Sequence, residues 1–207
     1  MTQYEAFAKL FDTNLSKADS AGIPLGISNR HIHLSQKDVD DLFGKNHSLT
    51  VLKALSQPDQ YACQETVLIC GPKGAIEKVR VLGPVRSETQ VEVLSGDCFK
   101  LGLKAPIRQS GDIDQTPGIT VVGSHGTVVL DKGVIIAQRH IHMTLADAQK
   151  FQVTDNQLVS LKLSGIRGGL LENVQVRVNE SFSLECHLDM EEANAMGLTS
   201  SSRVYIN

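Results

Sequence analysis

Asn29-Arg30-His31-Ile32-His33-Leu34 and Gln138-Arg139-His140-Ile141-His142-Met143 are two copies of one short pattern. The likeness extends further, since residues 31–38 read HIHLSQKD and residues 140–147 read HIHMTLAD. The copies lie too far apart for a solenoid, whose repeats span roughly 20–50 residues. This repeat predicts two related barrels whose histidine strands meet at a shared site.

The paired histidines favour a metal site if each copy is extended. Residues i and i+2 of a strand face the same way, about 6.5–7 Å apart, so two imidazoles can bind one ion. Short apolar runs lead into each copy, at 24–27 and 133–137, and favour strands. One His-x-His pair is weak support, but two copies in the same context are stronger. Imidazole suits zinc, copper, nickel and iron alike, so ligand type does not select the metal.

Composition excludes several classes of protein. The 20 Lys and Arg against 23 Asp and Glu, the lack of Trp and an aromatic content of 4% argue against a nucleic-acid binder. No run approaches the roughly 20 apolar residues of a membrane span, and the N-terminus lacks a secretory signal. The four cysteines form no C-x-x-C pair. We therefore expect free thiols in a reducing cytoplasm.

Residues 1–19 are predicted to form a helix with Tyr4, Phe7, Leu10 and Phe11 near one face. Packing on its own domain or on a second subunit is the favoured interpretation, and a docking peptide for a larger assembly is the alternative.

Residues 44–64, polar and with Pro58, are predicted to be an irregular excursion.

From residue 65 the chain is rich in short alternating strands, which predict a mainly β fold of barrels or a sandwich. Each histidine strand runs into a short helix with a capping sequence, Ser35-Gln36-Lys37-Asp38 or Thr144-Leu145-Ala146-Asp147. The repeated design supports two related halves.

Further candidate site residues lie outside the repeat. His187 is on the polar face of an alternating strand, and Glu92 faces away from Val91 and Val93. Each is either solvated or a metal ligand. Arg80 and Arg86 flank a Gly-Pro break, and Lys73 is on a turn. They could bind a phosphate, or they could be ordinary surface residues.

The sequence closely resembles the PduL-type phosphate propanoyltransferases, phosphotransacylases associated with bacterial microcompartments, over roughly residues 23–197. The resemblance is carried by PLGISNRHIHLS (24–35), QPDQYACQETV (57–67), VRVLGPVRSETQVEV (79–93), LGLKAPIRQSGD (101–112), GVIIAQRHIHMT (133–144) and HLDMEEANAMGL (187–198). These motifs are specific and occur in the family's order.

The resemblance implies two interleaved β-barrel domains capped by short α-helices. The first barrel takes residues 20–29 and 138–207, and the second takes 30–43 and 65–137. The resemblance also implies two zinc ions per chain. Their ligands would be His31, His33, Glu92, His140, His142 and His187. Phosphate would bind Arg86, and coenzyme A would bind Ile27, Ser28, Asn29, Lys73, Arg80 and Asn194.

The implied reaction is the interconversion of acyl-CoA and phosphate with acyl phosphate and CoA, with propanoyl or acetyl as the acyl group. Zinc lowers the pKa of a bound thiol, which would activate CoA, while Arg86 holds the phosphate. No covalent acyl-enzyme is required. The resemblance also implies a bacterial cytoplasmic protein. Residues 1–19 are a candidate segment for binding to a microcompartment shell or its cargo. Homo-oligomerisation stays open.

Three alternatives compete with this interpretation. A cupin-like oxygenase with a single metal would leave the second histidine pair unexplained. A dizinc hydrolase would give no reason for Lys73, Arg80 and Arg86. A structural zinc site in a binding module would have four protein ligands, whereas six ligands on two ions leave open positions.

Overall fold

The computed structural model describes residues 22–207, so the helix predicted over residues 1–19 lies outside the described part. The strands, in chain order, are β1 (Ile23–Ser28), β2 (His31–His33), β3 (Val51–Ala54), β4 (Tyr61–Cys70), β5 (Ala75–Gly83), β6 (Gln90–Glu92), β7 (Ile107–Arg108), β8 (Ile119–Val122), β9 (Thr127–Leu130), β10 (Val134–Ala137), β11 (His140–Met143), β12 (Leu158–Leu163), β13 (Gly169–Val178), β14 (Glu185–Asp189) and β15 (Arg203–Ile206). The helices are α1 (Gln36–Phe43), α2 (Ser95–Leu101), α3 (Leu145–Phe151) and α4 (Met190–Ala195).

The chain divides into two compact units, each built from separate stretches. The barrel unit comprises residues 22–26, His140–His187 and Ala195–Asn207. The sheet unit comprises Ile27–Arg139 and Leu188–Asn194.

A closed barrel of six strands forms the first unit, in the order β1-β14-β11-β13-β12-β15. Its first and last strands in the chain are neighbours, since Ile23 pairs with Val204. The barrel interior is apolar, with Ile141, Leu161 and Val176 fully buried. Alternation explains this core, because every second residue of a half-buried strand faces inward.

A nine-stranded sheet forms the second unit. Eight strands follow the order β7-β10-β6-β2-β5-β4-β8-β9, and β3 pairs with β4 at the side. The three-residue strand β2 lies between β5 and β6, and Ile32 at its centre is fully buried in the apolar core. The prediction of a mainly β fold built on barrels is confirmed, with a closed barrel in one unit and a curled half-barrel in the other.

The two helices predicted after the histidine strands are present. Ser35 caps α1, where its hydroxyl accepts a hydrogen bond from the Asp38 amide at 3.2 Å. Thr144 caps α3, and in return the Thr144 amide donates a hydrogen bond to the Asp147 carboxylate at 3.1 Å. These caps satisfy amide groups that the first helical turn leaves without partners.

The stretch 44–64 differs from the irregular excursion predicted for it. It contains β3 and the start of β4, and both strands belong to the sheet. All four residues of β3 are exposed, so the strand lacks the alternation by which a half-buried strand is recognised.

Between residues 22 and 207 no helix has both the length and the apolar character needed to cross a membrane.

Candidate metal centres

The first centre is the cluster of His31, His33 and Glu92 in the sheet unit, here named the sheet centre. His31 and His33 share one face of β2, and the antiparallel pairing of β2 with β6 places Glu92 opposite His31. The three side chains are almost entirely buried, and one ligand atom from each lies within 4.8 Å of the others. The sheet register thus gathers residues that are some 60 positions apart in sequence.

Hydrogen bonding orients the imidazole of His31. Its Nδ1 lies 2.8 Å from the Asn29 carbonyl oxygen, which can only accept, so Nδ1 carries the proton. Its Nε2 lies 3.3 Å from Glu92 Oε2. His33 Nε2 lies 3.9 Å from Glu92 Oε1. The donor atoms therefore converge on one small volume.

Burial and charge set the protonation of the sheet centre. Burial, with the positive charges of His31 and Arg86, lowers the pKa of His33 to about 3, so its imidazole is neutral. Burial also acts to lower the pKa of His31, but the Glu92 carboxylate outweighs it and raises that pKa. Although burial opposes ionisation of Glu92, His31, His33 and Arg86 hold its pKa well below the usual range. An ionised carboxylate beside imidazoles is a donor set that suits zinc.

The second centre, named the barrel centre, consists of His140, His142 and His187 in the barrel unit. The first two share a face of β11, and His187 of β14 is the register partner of His140. The rings of His140 and His187 are stacked, with centroids 5.0 Å apart and planes 3° from parallel. One nitrogen of each histidine lies within 4.8 Å of the others.

His142 is the member of the barrel centre whose surroundings best fit a metal ligand. Burial, followed by the charges of His140, His187 and Arg177, lowers the pKa of His142 to about 2. Both ring nitrogens are buried without a hydrogen-bond partner among the described residues. Its ring also stacks on Phe182, with centroids 4.1 Å apart. A buried neutral imidazole whose nitrogens have no partner is costly unless a metal ion takes a lone pair.

Arg86, predicted to bind phosphate, lies beside the sheet centre. Its backbone amide donates to the Leu34 carbonyl at 2.9 Å, which joins it to the end of the histidine strand. Its Nη1 donates to Ser110 Oγ at 2.9 Å. A cleft of about 240 Å³ opens next to it, lined by His33, Pro58, Asp59, Gln60, Gly83, Pro84 and Arg86.

The residues predicted to bind coenzyme A are spread over the sheet unit. Ile27, Ser28 and Asn29 precede β2, and Asn29 is already engaged with His31 through its carbonyl oxygen. Arg80 is the register partner of His31, and its Nη1 donates to the carbonyl oxygens of Cys63 and Gln64.

Two of the predicted coenzyme A residues lie on exposed positions elsewhere in the sheet unit. Lys73 is on the turn before β5, roughly 20 Å along the chain from Arg80 at the rise of an extended strand. Asn194 is on α4. The structure brings Asn29, Arg80 and Arg86 to the histidine strand but places Lys73 at a distance from them.

Several residues around the centres were not predicted from the sequence. Gln90 and Ser110 bond to Glu92 in the sheet centre. Glu185 Oε2 lies 2.9 Å from His187 Nε2, and Phe182 and Arg177 flank His142. Gln90 and Glu185 each stand two residues from a predicted ligand, so strand alternation could have identified them. Ser110 and Phe182 lie in loops, where no periodicity marks them.

Comparison with known proteins shows the family to which the chain belongs. The family described as phosphate propanoyltransferase matches residues 24–199. The chain is 53% identical to the phosphate propanoyltransferase of Thermotoga maritima over 186 residues, which is 89% of each protein. It is 49% identical to that of Rhodobacter capsulatus over 195 residues, covering 94% of this chain and 91% of the relative. It is 53% identical to that of Clostridioides difficile over 177 residues, covering 86% and 85% respectively. The chain therefore belongs to the phosphate propanoyltransferase family and is an acyltransferase.

Proposed function

We propose that the protein interconverts acyl-CoA and phosphate with acyl phosphate and CoA, with propanoyl or acetyl as the acyl group, and that each centre holds one zinc ion. The single observation that supports this best is the position of Arg86, whose guanidinium lies beside the buried donor set of His31, His33 and Glu92. This pairs an anion-binding group with a metal-binding group in one unit.

The donor sets fit zinc in number and type. Each centre offers three side chains, the number of protein ligands that catalytic zinc sites have, so a bound zinc ion would remain accessible to substrate. Bound zinc would supply positive charge that lowers the pKa of a coordinated thiol or polarises a carbonyl. The chain keeps His33 and His142 neutral and therefore ready to donate a lone pair at physiological pH.

The role of Arg86 is to hold the phosphate that exchanges with CoA. A guanidinium presents parallel N–H groups that match two oxygens of one phosphate. A phosphate oxygen then attacks the thioester carbonyl carbon, the new C–O bond forms, and the C–S bond breaks to release CoA. In the reverse direction the CoA sulfur attacks the acyl phosphate and phosphate leaves. Arg86 orients the nucleophile and offsets its charge, and no acyl-enzyme forms.

Coenzyme A is a long molecule, so its proposed contacts need not be close together. Ser28, Asn29 and Arg80 lie at the histidine strand, where the thiol end would react. Lys73 and Asn194, both exposed, are proposed for the nucleotide end, with Lys73 pairing with a phosphate group.

A thiol-release assay on zinc-loaded protein tests the proposal. Propanoyl-CoA is supplied with and without phosphate, and the assay is repeated after chelation of the metal. We expect CoA release that requires phosphate and is lost on chelation. A variant of the exposed His125, His125→Ala, serves as the matched control and should behave as the wild type. Release without phosphate would identify a thioester hydrolase, and no release with zinc still bound would contradict the proposed reaction.

The alternative role of residues 1–19, as a docking peptide for a bacterial microcompartment, is tested separately. The test is to fuse them to a fluorescent protein in a bacterium that builds such compartments. Diffuse fluorescence would contradict this role without affecting the proposed reaction.

A further inference from the structure

Gln90 is a buried glutamine with every polar atom of its side chain engaged at the sheet centre. Its side chain is on the same face of β6 as Glu92, two residues away, and only 2% of the residue is exposed. Nε2 donates to Glu92 Oε1 at 2.7 Å and to Ser110 Oγ at 2.8 Å, while Oε1 accepts from the Gly111 amide at 2.7 Å. An ionised carboxylate can only accept and a backbone N–H can only donate, so the amide has one possible orientation.

Ser110 connects this glutamine to the arginine. Its Oγ accepts from Gln90 Nε2 at 2.8 Å and from Arg86 Nη1 at 2.9 Å, which occupies both lone pairs of the hydroxyl. The single O–H must therefore donate, and Glu92 Oε1 lies 3.2 Å away to accept it. Arg86 and Glu92 are thus joined through one hydroxyl group.

The two oxygens of Glu92 consequently have different surroundings. Oε1 accepts from Gln90 and Ser110. Oε2 lies 3.3 Å from His31 Nε2, and Oε1 also lies 3.9 Å from His33 Nε2. The protein donors fix the orientation of the Glu92 carboxylate against the two histidines, as hydrogen-bonding partners of metal ligands do in other sites.

We propose that Gln90 and Ser110 are positioning residues, which hold the Glu92 carboxylate in the orientation of a metal ligand and hold Arg86 in register with it. This inference rests on the proposed function for the metal and the phosphate. Gln90 acts on the metal ligand and Ser110 acts on both groups. Neither residue needs to touch the substrate.

The first measurement is zinc affinity, by competition with a chromophoric chelator. It is made on the full chain in a His142→Ala background, so that the barrel centre does not dominate the titration. We expect Gln90→Leu to weaken zinc binding at the sheet centre about 10- to 100-fold, the range seen when partners of metal ligands are removed. Thr116→Val is the matched control, because Thr116 is also buried in the same unit and, among residues 22–207, its hydroxyl bonds to Ile113 and Gly133 and not to the sheet centre.

The second measurement separates the substrates in otherwise wild-type protein. Ser110→Ala removes one hydrogen bond from Arg86. The loss of a hydrogen bond to a charged group corresponds to roughly a tenfold change in binding affinity. We expect the KM for phosphate to rise about tenfold while the KM for propanoyl-CoA stays within twofold. Ser110→Thr, which keeps the hydroxyl, should restore the phosphate KM.

These outcomes distinguish the inference from the proposed function. Unchanged zinc affinity in Gln90→Leu, or equal rises of both KM values in Ser110→Ala, would overturn the positioning roles even if the wild type is a phosphotransacylase. If the wild type shows no phosphate-dependent CoA release, the zinc titration still decides the role of Gln90. If Gln90→Leu does not fold, Ser110→Ala decides the inference through zinc affinity and the phosphate KM together.

Discussion

Acid should destabilise the metal-free barrel unit through His142, whose pKa falls from 6.5 to about 2 on folding. A group whose pKa is lowered on folding stabilises the folded state at pH values above its pKa in the unfolded chain. This stabilisation is lost as the pH falls below about 6.5. Over that range the unfolded chain binds a proton at His142 and the folded chain does not. A difference of one bound proton changes the free energy of unfolding by about 1.36 kcal/mol per pH unit. His142 alone should therefore lower the free energy of unfolding by about 2.5 kcal/mol between roughly pH 6 and pH 4.

The assay is urea denaturation of the chelator-treated protein at several pH values, with far-ultraviolet circular dichroism as the readout of unfolding. The wild type is compared with His142→Gln, which has no proton to gain. The difference between the two free energies of unfolding should change by about 1.3 kcal/mol per pH unit in this range. His125→Gln removes an exposed histidine and should retain the wild-type dependence.

Parallel pH dependences for the wild type and His142→Gln would refute the argument. They would mean that His142 binds a proton equally well in the folded and unfolded states. Its ring would then be solvated or paired with an acid, and the case for a neutral ligand at the barrel centre would fail.

Three further predictions concern the centres and the core. His140→Ala should abolish CoA release in the thiol assay and lower the bound zinc by one ion per chain in metal analysis. Its circular dichroism spectrum should be unchanged. Wild-type turnover in this variant would exclude the two-metal proposal. Arg86→Ala should raise the KM for phosphate more than that for acyl-CoA in steady-state kinetics, and an unchanged phosphate KM and kcat would remove Arg86 from the site. Leu161→Ala, in the fully buried barrel core, should lower the free energy of unfolding by about 2–5 kcal/mol in urea, and a loss below about 1 kcal/mol would contradict the packing.

The sequence predicted the fold class and the histidine strands because both depend on short-range alternation. His31 and His33 must share a face if β2 is extended, and so must His140 and His142. The helix caps at Ser35 and Thr144 are equally local. For these features, neighbouring residues carry all the necessary information.

The other features of the fold and of the candidate centres depend on pairing between distant strands, which no local pattern specifies. The contact of Glu92 with His31 requires β6 to pair with β2 in one particular register. Ser110 reaches Arg86 from a loop, and Phe182 reaches His142 in the same way. The exposed strand β3 was missed because its neighbours, rather than its own alternation, make it a strand.

The pairing of Ile23 with Val204 has a consequence for synthesis of the protein. The strands of the sheet, β2 to β10, lie within residues 31–137 and can associate while the ribosome is still translating. The barrel needs β15, which follows every other described strand in the chain, so it closes only after the sheet strands have been synthesised. A chain truncated before residue 203 would therefore retain the sheet strands but never enclose the barrel core.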